Sequence, residues 1–91
     1  MSTFLIGYDL DKPGEKDYTD LIAAIKILGA WWHHLDSTWI VKSALTHVEV
    51  RDVLRPYLST SDKLLVIDVT SDAAAWTGFN QRGSNWLKDN L

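Results

Sequence analysis

Asp9 closes the apolar run TFLIGYD (residues 3–9), and Asp11 follows it two places on. A carboxylate is a hard oxygen ligand suited to magnesium or manganese. One carboxylate holds such an ion poorly, but a symmetric dimer would supply Asp9 twice. Aspartate at this place also caps turns, and Asp11 reads as a solvated turn residue. A second group lies in WWHHLDSTWIV (31–41), which holds three of the five tryptophans and two adjacent histidines. On a strand, His33 and His34 point to opposite faces and cannot share one ion. A partly buried histidine bonded within the sheet is the reading their spacing favours. Trp31, Trp32 and Trp39 have rings that could stack on bases. Only Lys42 supplies charge nearby, so core packing or a dimer contact is expected instead. Asp68 interrupts KLLVIDVT (63–70) and must find a partner or an exposed face, because a lone buried carboxylate is costly. No glycine-rich phosphate loop, nucleophile elbow or Ser-His-Asp arrangement is recognisable. No cofactor motif is present either.

These residues sit on a chain of 91 residues, which implies one domain. A domain this small is marginal alone, and oligomerisation would help it. The composition, 46% hydrophobic and 23% charged, is that of a folded globular chain. The absence of cysteine excludes disulfides, thiolate metal sites and thiol catalysis. The start, MSTFLIGYDLDK, has no basic leader and only a short apolar run. It reads as neither a signal peptide nor a membrane span, so a cytoplasmic, membrane-free protein is expected. The net charge of -3 counts against an extended nucleic-acid surface, though not against a local patch or a metal-bridged contact.

The pattern predicts the elements that carry these groups. Residues 3–9 form a strand with two apolar faces, Phe4, Ile6, Tyr8 and Leu5, Gly7, Asp9. Asp11, Lys12, Pro13 and Gly14 make a turn. Asp17 to Leu28 form a helix on the stripe Tyr18, Leu21, Ile22, Ile25, Leu28, with Glu15, Asp17 and Asp20 near its positive end and Gly29 ending it. Trp31–Leu35 and Thr38–Lys42 make a hairpin around Asp36-Ser37. Thr46 and Glu49 have capping-box spacing; a helix follows through Val50, Val53, Leu54, Tyr57 and Leu58, bent or ended at Pro56. His47, in its first turn, faces solvent. Lys63–Thr70 form the last strand.

The resulting order, β-α-β-β-α-β, is ferredoxin-like and α+β. It requires a four-stranded antiparallel sheet in order 4-1-3-2 with both helices on one face. Leu5, Ile22, Ile25, Leu28, Val50, Val53, Leu54 and Ile67 are the expected helix–sheet core. Strands 1, 3 and 4 are apolar on both faces, so the second face needs a cover. The chain thus divides into a core, 1–70, and a docking tail, 71–91. In that tail Ala73–Trp76 has helical composition, 79–83 reads as loop, and Ser84 caps a short helix carrying Trp86 and Leu87. The side of Val66 and Asp68 is expected to meet the tail or a second subunit. The predicted interface therefore comprises Trp32, Trp39, Val66, Asp68, Trp76 and Trp86. Arg51, Arg55 and Arg82 are the available cations.

FLIGYDL, LDSTWIVKS, DKLLVIDVT and the terminal WLKDNL together resemble the SinR family of small bacterial proteins, along nearly the whole chain. In the wider superfamily the chain is similar to the small CRISPR-associated adaptation protein and to VapD-type toxins. Tyr8-Asp9 matches that protein's tyrosine-aspartate at the end of strand 1. Ser37-Thr38-Trp39 loosely matches its segment opening strand 3, and Asp62 the aspartate before strand 4. The resemblance implies the ferredoxin-like fold and a homodimer. It also implies one of two activities. The first is a non-catalytic scaffold or antitoxin-like module that binds a protein partner. The second is a magnesium- or manganese-dependent endonuclease with Asp9, and Asp11 beside it, at the metal. The turn after strand 1 departs from the arginine-rich pattern of the nucleases, holding only Lys12 and Lys16 among Asp11, Glu15 and Asp17. A nucleotide or small-ligand sensor is the third reading of the residues.

Overall fold

A computed structural model describes residues 1–11 and 18–91. The predicted turn at Lys12, Pro13 and Gly14, together with Glu15, Lys16 and Asp17, lies outside the described residues. Among the described residues the fold is mixed α+β: a four-stranded antiparallel sheet and three α-helices. In chain order the elements are β1 (Ser2–Asp9), α1 (Thr19–Lys26), β2 (Ala30–Trp32), β3 (Thr38–Ser43), α2 (His47–Leu54), β4 (Lys63–Asp68) and α3 (Gln81–Asn90). A single 3-10 turn, Arg55–Tyr57, carries Pro56 at its start, where the missing donor costs nothing. The strands lie in the order β2-β3-β1-β4, so β2 and β4 form the two edges.

The register fixes which side chains share a face. Phe4 lies opposite Val41 and Asp68, and Ile6 opposite Trp39 and Val66. That face packs on α1 and α2 through Leu21, Ala24, Ile25, Val50 and Leu54. Its centre is dry: Phe4, Ile6, Leu21, Ile25, Val41, Val50 and Leu54 are fully buried. Burial of this kind supplies the main driving force of so small a fold. The opposite face carries Leu5, Gly7, Ile40, Leu65 and Ile67. There Trp32, Ile40 and Leu87 form a second buried cluster, against which Trp76, Phe79, Trp86 and Leu91 pack. The sheet is thus covered on both sides, over its centre by α1 and α2 and in part by the tail.

Several expectations change. The alternation of β1 and β4 is inverted: Phe4, Ile6, Leu64 and Val66 face the helices, while Leu5 and Ile67 face away. Val66 and Asp68 accordingly lie on the helix side and not on the tail side. Both strands are apolar on both faces, so hydrophobicity does not select the register, and one residue of slip exchanges the two sets. Val53 lies on the exposed flank of α2. The first helix is shorter than expected, and β2 ends at Trp32, leaving 33–37 as the hairpin connection. Ala73–Trp76 is not helical. The final helix starts three residues before Ser84, because Asn80 is the cap and accepts the amide of Gly83 at 2.8 Å. The capping box on α2 is present, with Glu49 N to Thr46 Oγ1 at 3.2 Å and Thr46 N to Glu49 Oε1 at 3.0 Å.

Candidate functional site

Three aspartates gather where β1 ends and β4 begins. Asp9, exposed, lies opposite Lys63 in the register. Its carboxylate makes no hydrogen bond with a described residue. Asp11 is exposed as well, and its backbone amide donates to Asp62 Oδ1 at 2.8 Å. The same oxygen accepts the Tyr18 hydroxyl at 2.9 Å, and Oδ2 accepts the Ser59 amide at 2.8 Å. Burial alone would raise the Asp62 carboxyl. The amides of Asp11 and Ser59 and the Tyr18 hydroxyl outweigh it and hold the group well below the usual carboxylate range. Asp62 is therefore a tether joining three segments, with its lone pairs committed to donors. Asp9 and Asp11 remain as the carboxylates one chain could offer a cation. Among the described residues there is no group of three or more metal-ligating side chains.

Asp68 meets its need for a partner locally. Its Oδ1 accepts the Thr70 amide at 3.0 Å and the Thr70 hydroxyl at 2.6 Å. These two bonds, the hydroxyl first, lower its carboxyl, and His47 adds a smaller favourable charge. The Thr70 hydroxyl also accepts the Thr3 amide at 2.9 Å, so Asp68 closes the β1–β4 seam.

The aromatic segment divides by face. Trp31 and His33 point to the helix side. His33 stacks on Trp39 with centroids 3.7 Å apart and planes 11° apart, and Trp31 is tilted against the same ring at 5.4 Å. Trp39 donates from Nε1 to the Tyr8 hydroxyl at 3.0 Å and is buried in the helix-side core. Trp32 and His34 point to the tail side. Trp32 Nε1 donates to the Gly83 carbonyl at 3.1 Å, and Phe79 meets its ring edge-on at 4.8 Å. Trp32 and Trp39, expected at an interface, are thus consumed inside the chain. Trp76 and Trp86 are half-buried and pack on the tail-side cluster. The two histidines do not converge on a common point.

Among the described residues, two open surfaces bear on function. On the β4 edge, Leu65 is 57% and Ile67 43% exposed. Along the β2 edge a cleft of about 670 Å³ runs between the strand and α3. Trp31 and His33 line one flank; His34, Asn80, Arg82 and Trp86 line the other. Asn80 was not among the sequence-derived candidates, and Arg82 appeared there only as an available cation. Asn80 could have been found from its spacing to Gly83, because asparagine three residues ahead of a helical amide is a capping position. No family model matches the chain, and no solved structure matches it.

Proposed function

We propose that this chain is a non-catalytic interaction module of ferredoxin-like fold, working as a homodimer, within the SinR and CRISPR-adaptation superfamily. The observation that carries the reading is the pair Leu65 and Ile67 on edge strand β4. They are large, apolar and exposed, next to the half-buried Leu5 on a face the tail covers over β2, β3 and the start of β1 but leaves open at β4. An open strand edge bearing apolar groups invites pairing with another chain, and a closed two-fold contact is the commonest outcome. Neither Trp32 nor Trp39 enters this interface, since both are buried in the monomer. Sedimentation equilibrium at micromolar concentration should report twice the chain mass. The double variant Leu65→Lys, Ile67→Lys should sediment as a monomer with its circular dichroism unchanged. A wild-type monomer would overturn the reading.

A second reading, divalent-metal-dependent phosphodiester cleavage, is favoured by the exposed and unbonded carboxylate of Asp9. Two carboxylates from one chain, Asp9 and Asp11, are fewer oxygens than magnesium requires. The partner subunit's copies and water would have to complete the set. The bound ion would activate water or polarise the phosphate; this chain's part is to hold it. Cleavage of RNA or DNA with magnesium or manganese, lost in Asp9→Asn, would favour this reading over the first.

A further inference from the structure

We infer that the cleft along the β2 edge is a binding site for a nucleoside monophosphate. It is independent of the dimer reading, because β2 and β4 are opposite edges of the sheet.

Three features of the cleft select the ligand. The first is charge. The chain carries a net charge of -3, yet among the described residues no carboxylate lines the cleft. Arg82 is exposed at its rim and forms no ion pair with a described residue. Lys26 Nζ sits over the Trp31 ring, 5.0 Å from its centroid, adding positive charge on that flank; a base stacking on this face of the indole would displace it. The cap bond to Gly83 turns Asn80 Oδ1 toward the helix and leaves Nδ2 as a donor. Cationic and amide donors without a competing acid suit an anion, and a guanidinium suits phosphate in particular.

The second feature is aromatic surface. Trp31 is 42% exposed, an unusual state for so large an apolar ring, and Trp86 on the opposite flank is half-buried. Indole faces bind bases without regard to their identity. Trp32 is already fixed by its bond to the Gly83 carbonyl, and the exposed His34 ring lies beside Gly83. The floor at Trp32 is therefore held in place before a ligand arrives, which lowers the cost of ordering on binding.

The third feature is the strand edge between the two flanks. β2 pairs with β3 on one side and has no strand partner on the other. Its outer amides and carbonyls line up as donors and acceptors. A nucleobase presents a matching row of donors and acceptors on its edge, which a simple aromatic carboxylate lacks. The volume falls within the range of small-molecule sites. An extended peptide could pair with the same edge, but its side chains would gain little from a cationic rim flanked by indoles.

The test is a titration of the full chain with AMP, GMP, CMP and UMP, following the five indole N–H signals in proton–nitrogen correlation spectra. Saturable shifts of the Trp31 and Trp86 signals, with Trp39 unmoved, are expected. Arg82→Gln should weaken binding by about tenfold, the worth of one charge-assisted bond. Trp31→Ala should weaken it at least about fivefold through lost stacking, with the Trp32 and Trp39 signals reporting an intact fold. Adenosine should bind about tenfold less tightly than AMP, and inorganic phosphate should produce no saturation. The proposal is overturned if no nucleotide saturates the Trp31 and Trp86 signals up to about 10 mM. It is equally overturned if both variants bind as wild type does, or if a strand-forming peptide shifts these signals and the nucleotides do not.

Discussion

Asp62 decides how the β1–β4 end of the molecule responds to acid. Its folded carboxyl lies below the usual range, so the folded chain binds this proton less readily than the unfolded chain does. The stability it contributes is complete above the unfolded value, about 3.9, and is lost as pH falls below that toward the folded value. Asparagine at this place would set an amide donor against donors from Asp11, Ser59 or Tyr18. Thermal melts from pH 7 to 2 should show Asp62→Asn with a lower midpoint at neutral pH and a gap to wild type that narrows in acid. Parallel curves would mean that another group carries the acid response. Gly29 is constrained for a different reason. A Cβ there would run into the backbone carbonyl of Lys42 on β3. Neither backbone can yield without disturbing the β2–β3 pairing. Gly29→Ala should therefore cost about 1–3 kcal/mol, the range for forced overpacking, measurable as a shift in urea midpoint at constant slope. The sequence reading made Gly29 the helix cap, but α1 ends at Lys26 and Ile27 caps it; the close approach of Gly29 to β3 was not legible, because that depends on a contact with a distant strand.

Elements differ in how much of their placement was written locally. α2 announces itself: Thr46 and Glu49 make the capping box their spacing predicts, and Val50 and Leu54 are buried as the stripe requires. Thr46→Ala should destabilise by about 1 kcal/mol with no change in the β1–β3 register, read from a chemical melt. β4 is the opposite case. KLLVID offers Leu64 and Val66 on one side and Leu65 and Ile67 on the other, with nearly equal apolarity. The choice is made by β1, whose Ile6 lies opposite Val66 and is fully buried under the helices. Local pattern holds no record of that pairing. α3 was misplaced at its start for a similar reason. Gly83 looks like a breaker, but a Cβ there would approach the His34 ring to 3.3 Å, so a small residue lets the helix lie close to the β2–β3 hairpin. The candidate site followed suit. Asp9 was assigned correctly to a strand end, and His33 and His34 to opposite sides, though both lie beyond β2 and not on it; the cleft joining Trp31 to Arg82 requires the tail to fold back across the sheet.

At the scale of the molecule the question is whether that tail belongs to the fold or merely rests on it. It is tied at both ends: Trp32 bonds the Gly83 carbonyl, and the Thr3 hydroxyl donates to the Asn90 carbonyl at 3.2 Å. Between these, Leu87 is 3% exposed against Trp32 and Ile40. Removing such a side chain costs about 2–5 kcal/mol, a large share of the ~5–15 kcal/mol that holds a domain together. If the three layers form one cooperative unit, Leu87→Ala should lower the midpoint of the whole protein. Helix dichroism and tryptophan fluorescence would then move together in one transition. If α3 is a separate strap, the variant should lose amide protection over 81–90 at almost no cost to the amides of β1 and β3. The first outcome is expected, because Ile40 lies between Trp39 and Val41 on the strand that carries both into the helix-side core, and Trp32 is its partner on β2. Exposing one face of a short hairpin weakens the pairing that its other face depends on. Independent melting of 81–90, with the remaining midpoint unchanged, would show that the two faces of the sheet are energetically separate.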